Sequence, residues 1–461
     1  VTPRLFQDAD GAPMGFFEAV IGGRSVGVPG MPALMEAAHR RWGRANWQTL
    51  FDPAYRHATE GFTVSTRMAM MVQRDAERLS RFPATAGYFL PDDTPISVGA
   101  LLKNPGYANA MRLLAQEGAA PFYTGAIARE IVSAVQGAAD NPGLLDLVDF
   151  AIYRVKERPA LCAPYRGRQV CGMGPPSSGA LAVGQILGLL ESYDLARLGF
   201  ESPEAWRLIG EASRLAFADR GRYVADSDFV PVPVEGMLEP QYLAQRAQLI
   251  AGPDALQEVS PGQPEFDHSL LWADHIGLER PSTTHISIVD RYGNALSMTS
   301  SVENAFGSRM MVSGFLLNNQ LTDFSFRSHA DGVPIANRAE PGKRPRSSMS
   351  PTIVMDEGAP VLVLGSPGGS RIIPYVAKTI IAHLDWGLDV QQAVSLPHLV
   401  NRFGTYDLEE ATAAERFAVP LAGMGYEINS SALTSGLHAI SITDRLRGGA
   451  DPRREGIALG Q

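Results

Sequence analysis

Ser282-Thr283-Thr284-His285-Ile286-Ser287-Ile288-Val289-Asp290 marks a change of texture in this 461-residue chain. Residues 284–290 alternate, Arg291-Tyr292-Gly293-Asn294 supplies turn residues, and Ala295-Leu296-Ser297-Met298-Thr299 alternates back. This pattern predicts a hairpin whose first strand begins at Thr283 in the core. Further on, Pro351–Met355 and Val361–Leu364 read as a second strand pair around Asp356-Glu357-Gly358-Ala359. Gly365-Ser366-Pro367-Gly368-Gly369 then leads into a helix from Ser370, with Ile372, Ile373, Val376, Ile380 and Leu384 on one apolar face. Before the quoted stretch, residues 27–225 are mostly helical in pattern: Gly30-Met31-Pro32 to about Trp42, then about 64–81, 105–118 and 121–136, and a run from Ser202-Pro203-Glu204. Pro175-Pro176-Ser177-Ser178-Gly179 opens an apolar helix through Leu190. Helices in the first half and strand pairs in the second imply an α+β sandwich of sheets covered by helices.

Composition excludes several classes. The chain is 45% hydrophobic and 19% charged, ordinary globular values, with a net charge of −9. No basic stripe interleaved with aromatics is present, so nucleic acid is not an expected partner. No apolar run reaches the roughly 18 residues needed to span a bilayer. The opening Val1-Thr2-Pro3 has no methionine and is expected to belong to a fragment or trimmed product.

Thr283 carries the chemistry. A threonine hydroxyl is a weak nucleophile until a base takes its proton, and a threonine at a chain terminus has its own base in the free α-amine. That amine has a pKa of about 7.7–8.0, suited to general-base work near neutral pH. An internal threonine has no such amine, so cleavage of the Ser282–Thr283 bond must come first. The stretch 252–282, rich in Pro, Gly and acids, reads as the surface loop that presents this bond.

Cys162-Ala163-Pro164-Tyr165-Arg166-Gly167-Arg168-Gln169-Val170-Cys171 reads as a hairpin turning at Arg166-Gly167. Counting outward pairs Tyr165 with Arg168 and sets Cys162 opposite Cys171, either as a cross-strand disulfide or as two facing thiols. A disulfide favours an exported protein. Asp267-His268 and Asp274-His275 read as solvated loop residues. No His-x-x-x-His or Cys-x-x-Cys pair occurs, so neither a metal nor another cofactor is expected. Trp272, Tyr375 and Trp386 read as packing.

Six motifs in order then carry a resemblance. They are Thr283-Thr284-His285, Ala305-Phe306-Gly307, Leu316-Leu317-Asn318-Asn319-Gln320, Asp323-Phe324-Ser325, Arg344-Pro345-Arg346-Ser347-Ser348-Met349-Ser350-Pro351 and Gly365-Ser366-Pro367-Gly368-Gly369-Ser370-Arg371. Together they resemble the γ-glutamyltranspeptidase family of N-terminal-nucleophile hydrolases, which includes cephalosporin-acylase-like members. Gly61-Phe62, Phe122-Tyr123-Thr124-Gly125 and Pro175-Pro176-Ser177-Ser178-Gly179 extend the likeness over nearly the whole chain. The resemblance implies a four-layer αββα sandwich. It also implies self-cleavage into residues 1–282 and 283–461, held together as a heterodimer.

By the same resemblance Thr283 is the nucleophile, Ser301 bonds it, and Gly368 and Gly369 form the oxyanion hole. Backbone donors of glycines at a helix start suit that role physically; as a bare sequence the loop also reads as a tight turn. Ser347 and Ser348 match serines that hold a donor's α-carboxylate, or else form a serine-rich turn. Gln320 and Asp323 match residues that bind its α-ammonium; Asp323 reads equally as a capping loop aspartate. Glu303 stands where the family usually has asparagine, with Asn304 adjacent. The segment from Phe324 to Arg346 has no tyrosine and is shorter than the lid-bearing segment of typical transpeptidases. The family's carboxylate-binding arginine is expected upstream of Val1.

The implied activity is that of a γ-glutamyl amidohydrolase or transpeptidase. It would act on glutathione-like γ-glutamyl amides through a γ-glutamyl-threonine ester, with water or an amine as acceptor. One alternative is a cephalosporin (glutaryl) acylase-like amidohydrolase. The other, of a different class, is a non-catalytic binding protein on the same fold. A periplasmic or secreted location is expected if the native N-terminus carries a signal, and a cytoplasmic one otherwise.

Overall fold

The structure, a computed structural model, describes residues 1–268, 271–275, 277 and 282–460. It divides into two units, one of Val1–Glu157, Ser301–Thr322 and Ala339–Gly342, the other of Arg158–Ser300, Asp323–Arg338 and Lys343–Gln461. Part of the loop expected to present the cleavage point lies outside the described residues.

The first unit is helical, as its periodicity predicts. Thr66–Leu79 starts at Ser65, whose side chain accepts from Met68 N, and Pro105–Glu117 starts at Asn104, which accepts from Tyr107 N. The run expected as one helix over 121–136 is instead two, Ala120–Tyr123 and Ala126–Gln136. The break falls at Gly125, whose Cα sits so close to Pro121 that an added Cβ would lie 2.6 Å from the proline Cα. One core gathers Val26, Met111, Leu114, Ile131 and Phe150, and another Val72, Leu79, Phe89 and Phe306. Asp75 pairs with the buried Arg309 at 2.8 Å.

The second unit is built on a six-stranded antiparallel sheet. Its strands are β1 (Ala160–Tyr165), β2 (Arg168–Met173), β5 (Thr352–Asp356), β6 (Ala359–Gly365), β7 (His438–Ile442) and β8 (Leu446–Ala450), in the order β8-β7-β6-β5-β2-β1. The hairpin β3 (Thr284–Val289) and β4 (Ala295–Ser300) stacks against β6 and β7. Helices α1 (Gly179–Leu190), α2 (Pro203–Tyr223) and α3 (Ile372–Leu384) share one hydrophobic core with the sheet, through Val183, Leu187, Leu215, Val354, Leu362 and Val376. The register is the one counted from the sequence, with Tyr165 opposite Arg168 and Cys162 opposite Cys171. The two cysteines form a disulfide.

In the hairpin the apolar side chains are not the ones turned inward. Ile286 and Ile288 are 41% and 50% exposed, whereas His285 and Ser287 turn toward the six-stranded sheet. Hydrogen bonds between the His285 ring and the Thr299 and Ser287 hydroxyls, and from Ser287 Oγ to His438 O, allow these polar side chains to occupy that interior.

Candidate active site

Strand register collects three loops at one end of the second unit. Thr352, the first residue of β5, lies opposite both Gly172 of β2 and Leu364 of β6. The chain leaving β2 (Gly174–Ser178), the chain entering β5 (Ser347–Ser350) and the chain leaving β6 (Ser366–Gly369) therefore lie at the same edge. Ser297 of β4 stitches the hairpin to that edge, donating to Leu364 O at 2.8 Å and accepting from Thr352 N at 2.9 Å. His285 packs so tightly on Gly365 that an added Cβ would lie 2.2 Å from the ring. Thr283, two residues before this histidine, is thus brought to the same edge.

Thr283 has φ +101°, outside the regions that a β-branched residue ordinarily occupies. The carbonyl before it, Ser282 O, accepts a hydrogen bond from Gly368 N at 3.2 Å. Its own carbonyl accepts from Arg454 Nη1 at 3.1 Å. Gly368 has φ +145° and Gly369 φ +61°, and the turn Gly369–Arg371 runs straight into α3. The positive end of a 13-residue helix therefore faces this loop. A Cβ on Gly368 would lie 2.8 Å from the ring of the buried Tyr375, so glycine is required by both conformation and space.

His285 anchors the strand below. Its Nδ1 lies 2.8 Å from Thr299 Oγ1 and its Nε2 3.0 Å from Ser287 Oγ, and its carbonyl accepts from His438 Nδ1 at 2.9 Å. Burial, reinforced by His438, pushes its pKa down to about 3, so the ring stays neutral. A neutral imidazole bonded at both nitrogens holds the strand in place.

Ser347 Oγ accepts from Met349 N at 3.1 Å. Ser348, buried to 3% exposure, accepts from Arg220 Nη2 at 2.6 Å. The loop is tied to the start of α1, because Ser178 donates from both N and Oγ to Ser347 O, at 2.8 and 2.7 Å. Of the nine residues singled out in the sequence, Thr283, Ser347, Ser348, Gly368 and Gly369 thus share one edge of one unit.

Asp323 belongs to the same unit, where its carbonyl accepts from Asn337 Nδ2 at 2.8 Å; Gln320 and Asp323 are the two ends of one 3-10 turn. Ser301, Glu303 and Gln320 belong to the first unit. There Ser301 Oγ accepts from Glu303 N at 2.9 Å, and the buried Glu303, at φ +72°, takes a hydrogen bond from Asn319 Nδ2. The neighbouring Asn304 is committed elsewhere, its amide oxygen accepting from Arg309 Nη2 at 2.7 Å.

Sequence reasoning missed Arg220, Ser178 and Arg454. The helix of Arg220, Pro203–Tyr223, also carries Glu204, Arg207, Glu211, Arg214 and Asp219, so no local signal set Arg220 apart. Sequence reasoning also misread His275, which is not a solvated loop residue. Burial and then the charges of Arg346, Arg220 and Arg327 push its pKa down to about 3. Asp274 is paired with Arg222 through both carboxylate oxygens, and His268 stacks on Phe266. Trp272 packs with Ala225, Val230 and Ala336, as expected. No group of three potential metal ligands occurs among the described residues.

Comparison with known proteins identifies the family. The family profile described as gamma-glutamyltranspeptidase matches residues 1–461. The glutathione hydrolase proenzyme of Bacillus subtilis (strain 168) is 34% identical over 473 residues, covering 100% of this chain and 78% of that protein. The acylase ACY 1 proenzyme of Pseudomonas sp. (strain SE83) is 32% identical over 449 residues, covering 95% of this chain and 76% of that protein. Among solved structures, the cephalosporin acylase of Bacillus halodurans superposes with a TM-score of 0.84 at 23% identity, covering 96% of this chain and 80% of that one, and shares the fold. Ordered motifs, fold and sequence identity agree: the chain belongs to the γ-glutamyltranspeptidase family.

Proposed function

We propose that this chain is the precursor of an N-terminal-threonine amidohydrolase that cuts itself before Thr283 and then transfers γ-glutamyl groups from glutathione-like amides to water or an amine. The observation that carries the reading is the hydrogen bond from Gly368 N to Ser282 O. It puts a backbone donor on the carbonyl that self-cleavage would attack. The strained φ of Thr283 supports the same reading. Such a conformation costs of order 1–3 kcal/mol, and cleavage removes the constraint, since a terminal residue has no preceding carbonyl.

In maturation, Thr283 Oγ attacks the Ser282 carbonyl carbon, the Ser282–Thr283 C–N bond breaks, and the nitrogen gains a proton. Water then hydrolyses the resulting ester and leaves Thr283 with a free amine. In turnover, that amine takes the hydroxyl proton as Oγ attacks the γ-amide carbonyl, and passes it to the departing amine. Gly368 and Gly369 N–H groups stabilise the oxyanion, Ser347 and Ser348 hold the donor's carboxylate, and Asp323 supplies the negative charge for its ammonium. Water or an acceptor amine releases the γ-glutamyl ester.

The six-stranded sheet takes β1 and β2 from before Thr283 and the other strands from after it. This supports a product whose two fragments stay associated. The disulfide supports an oxidising compartment. No helix among the described residues is long and apolar enough to cross a membrane.

The test is Thr283→Ala. Wild type should resolve by intact mass into residues 1–282 and 283–461 and turn over a γ-glutamyl anilide. The variant should stay uncut and inactive. Cleavage and turnover of the variant at wild-type level would overturn the reading, and a wild-type chain that binds ligand uncut without turnover would replace it with a binding protein. A glutaryl acylase is the second reading, favoured by the absence of tyrosine between Phe324 and Arg346. Strong preference for glutaryl over γ-glutamyl anilide would select it.

A further inference from the structure

We propose that Arg220 is a specificity-determining positioning residue, which turns Ser347 and Ser348 into a receptor for the distal carboxylate of a five-carbon acyl donor. The inference rests on the acyl-transfer reading above and holds for γ-glutamyl and glutaryl donors alike, since both end in that carboxylate.

Arg220 lies near the end of α2 and is 1% exposed. Its Nε donates to Ser178 Oγ at 2.7 Å and its Nη2 to Ser348 Oγ at 2.6 Å. A guanidinium only donates, so Ser348 Oγ must accept, and the serine's own proton must be given to another acceptor. Ser347 is in the same state, because Met349 N donates to its Oγ. Both hydroxyls are thereby set as donors, the polarity a carboxylate requires. Ser178 completes the arrangement by accepting from Arg220 and donating to Ser347 O, so one guanidinium fixes the loop through two serines.

Two further arginines stand nearby. Arg346 Nη1 donates to Arg220 O at 2.9 Å, and Arg327 and Arg346 join Arg220 in holding His275 neutral after burial itself. A cation behind a hydroxyl strengthens that hydroxyl as a donor, and the low dielectric of a buried site amplifies the effect.

The test compares glutaryl with butyryl p-nitroanilide, which differ by the distal carboxylate, and adds glutarate as an inhibitor that cannot be turned over. In Arg220→Gln the preference for the glutaryl anilide should fall roughly tenfold to a hundredfold, as expected for loss of charge-assisted bonding. The loss should appear in KM rather than kcat, and the inhibition constant of glutarate should rise in parallel. Arg220→Lys, which keeps the cation but lacks the two-pronged reach, should recover part of the preference. In a Ser348→Ala background the Arg220 effect should largely disappear. An unchanged anilide preference and glutarate constant in Arg220→Gln would overturn the proposal. If that variant fails to fold or cut, Arg220→Lys and Ser178→Ala decide, and wild-type preference in both would also overturn it. Wild-type protein that turns over no anilide would count against the proposed function instead. Stabilisation of wild type by glutarate in a thermal melt, weaker in Arg220→Lys and absent in Arg220→Gln, would still report the carboxylate site.

Discussion

Gly368→Ala separates the oxyanion role from mere loop geometry. Gly368 sits at φ +145°, where an added Cβ would lie 2.8 and 3.2 Å from two ring carbons of Tyr375 and 3.6 Å from Ile372 Cγ1. The tyrosine ring cannot yield cheaply. It is buried and lies 4.0 Å from the ring of His398, which is itself held by Ser435 at 2.6 Å. An L-residue at such a φ costs about 1–2 kcal/mol, and overpacking adds about 1–3 kcal/mol. The loop relieves both by rotating, which carries the Gly368 N–H off Ser282 O. Losing one such donor is worth about 2.7–4 kcal/mol of barrier, or roughly a hundredfold to a thousandfold in rate. The assay is a time course of intact mass on freshly purified precursor, followed by initial rates on γ-glutamyl anilide with the cut fraction. Both rates should fall by that factor. Gly358→Ala is the control: φ is +83° and no atom lies within 4 Å of the added Cβ. It should cost about 1–2 kcal/mol of stability and leave cleavage alone. If folded Gly368→Ala cut and turned over at wild-type rates, the reasoning would be refuted.

Two further predictions concern stability. Lys378 is buried in α3, donates to Ala393 O at 3.1 Å and Leu396 O at 2.9 Å, and is pushed down to about 7 by burial and then by Arg453. Between pH 7 and about 10 the unfolded chain holds a proton that the folded chain has released, so stability should rise with pH by up to about 1.4 kcal/mol per unit; urea midpoints at pH 7 and 9.5 should lose that rise in Lys378→Met, and an unaltered slope would reject the assignment. The histidines act on the acid side, where His275 and His285, both pushed down to about 3, should make stability fall as pH drops below about 6.5. For the disulfide, the sequence separation of 9 closes a short loop worth about 2.7 kcal/mol by chain entropy. The Cys162→Ser/Cys171→Ser protein should unfold at correspondingly lower urea, and reductant should move wild type but not the variant.

What the sequence disclosed follows the range of the interactions involved. The hairpin at Cys162–Cys171 and the strand pairs around Thr283 and Asp356 are local, so turn residues and alternation sufficed to find them, and to give the register of the first. The helix expected over 121–136 broke because Gly125 meets Pro121 in the folded chain, a contact that periodicity does not contain. Strands at His438–Ile442 and Leu446–Ala450 were not read at all. His438–Ile442 becomes a strand by pairing with β6, far away in the chain, and the glycine-containing Leu446–Ala450 by pairing with β7. Alternation in β3 gave the strand but not its buried face, because His285 and Ser287 find hydrogen-bond partners inside, in Thr299 Oγ1 and His438 O. The same division holds at the site. Thr283 and the glycines stood out as types in order, whereas Arg220 and Arg454 act across 128 and 171 residues.

The two carbonyls flanking the Thr283 Cα are each held, Ser282 O by Gly368 and Thr283 O by Arg454, while the residue between them stands at φ +101°. Hydrogen bonds on both flanking carbonyls clamp the residue between them against rotation, so the uncut chain keeps Thr283 at this positive φ. The same clamp makes the uncut chain inactive under the proposed mechanism. The donor needed for a substrate oxyanion is engaged by Ser282 O, and the base needed for turnover is still an amide nitrogen. Cleavage lifts both blocks together, freeing Gly368 for an incoming carbonyl and creating the α-amine. Changes to the Gly368 loop should therefore move maturation and turnover in step, because one hydrogen-bond donor serves both. Changes at Arg220 should separate them, because the Ser282 carbonyl carries no distal carboxylate for Ser347 and Ser348 to hold.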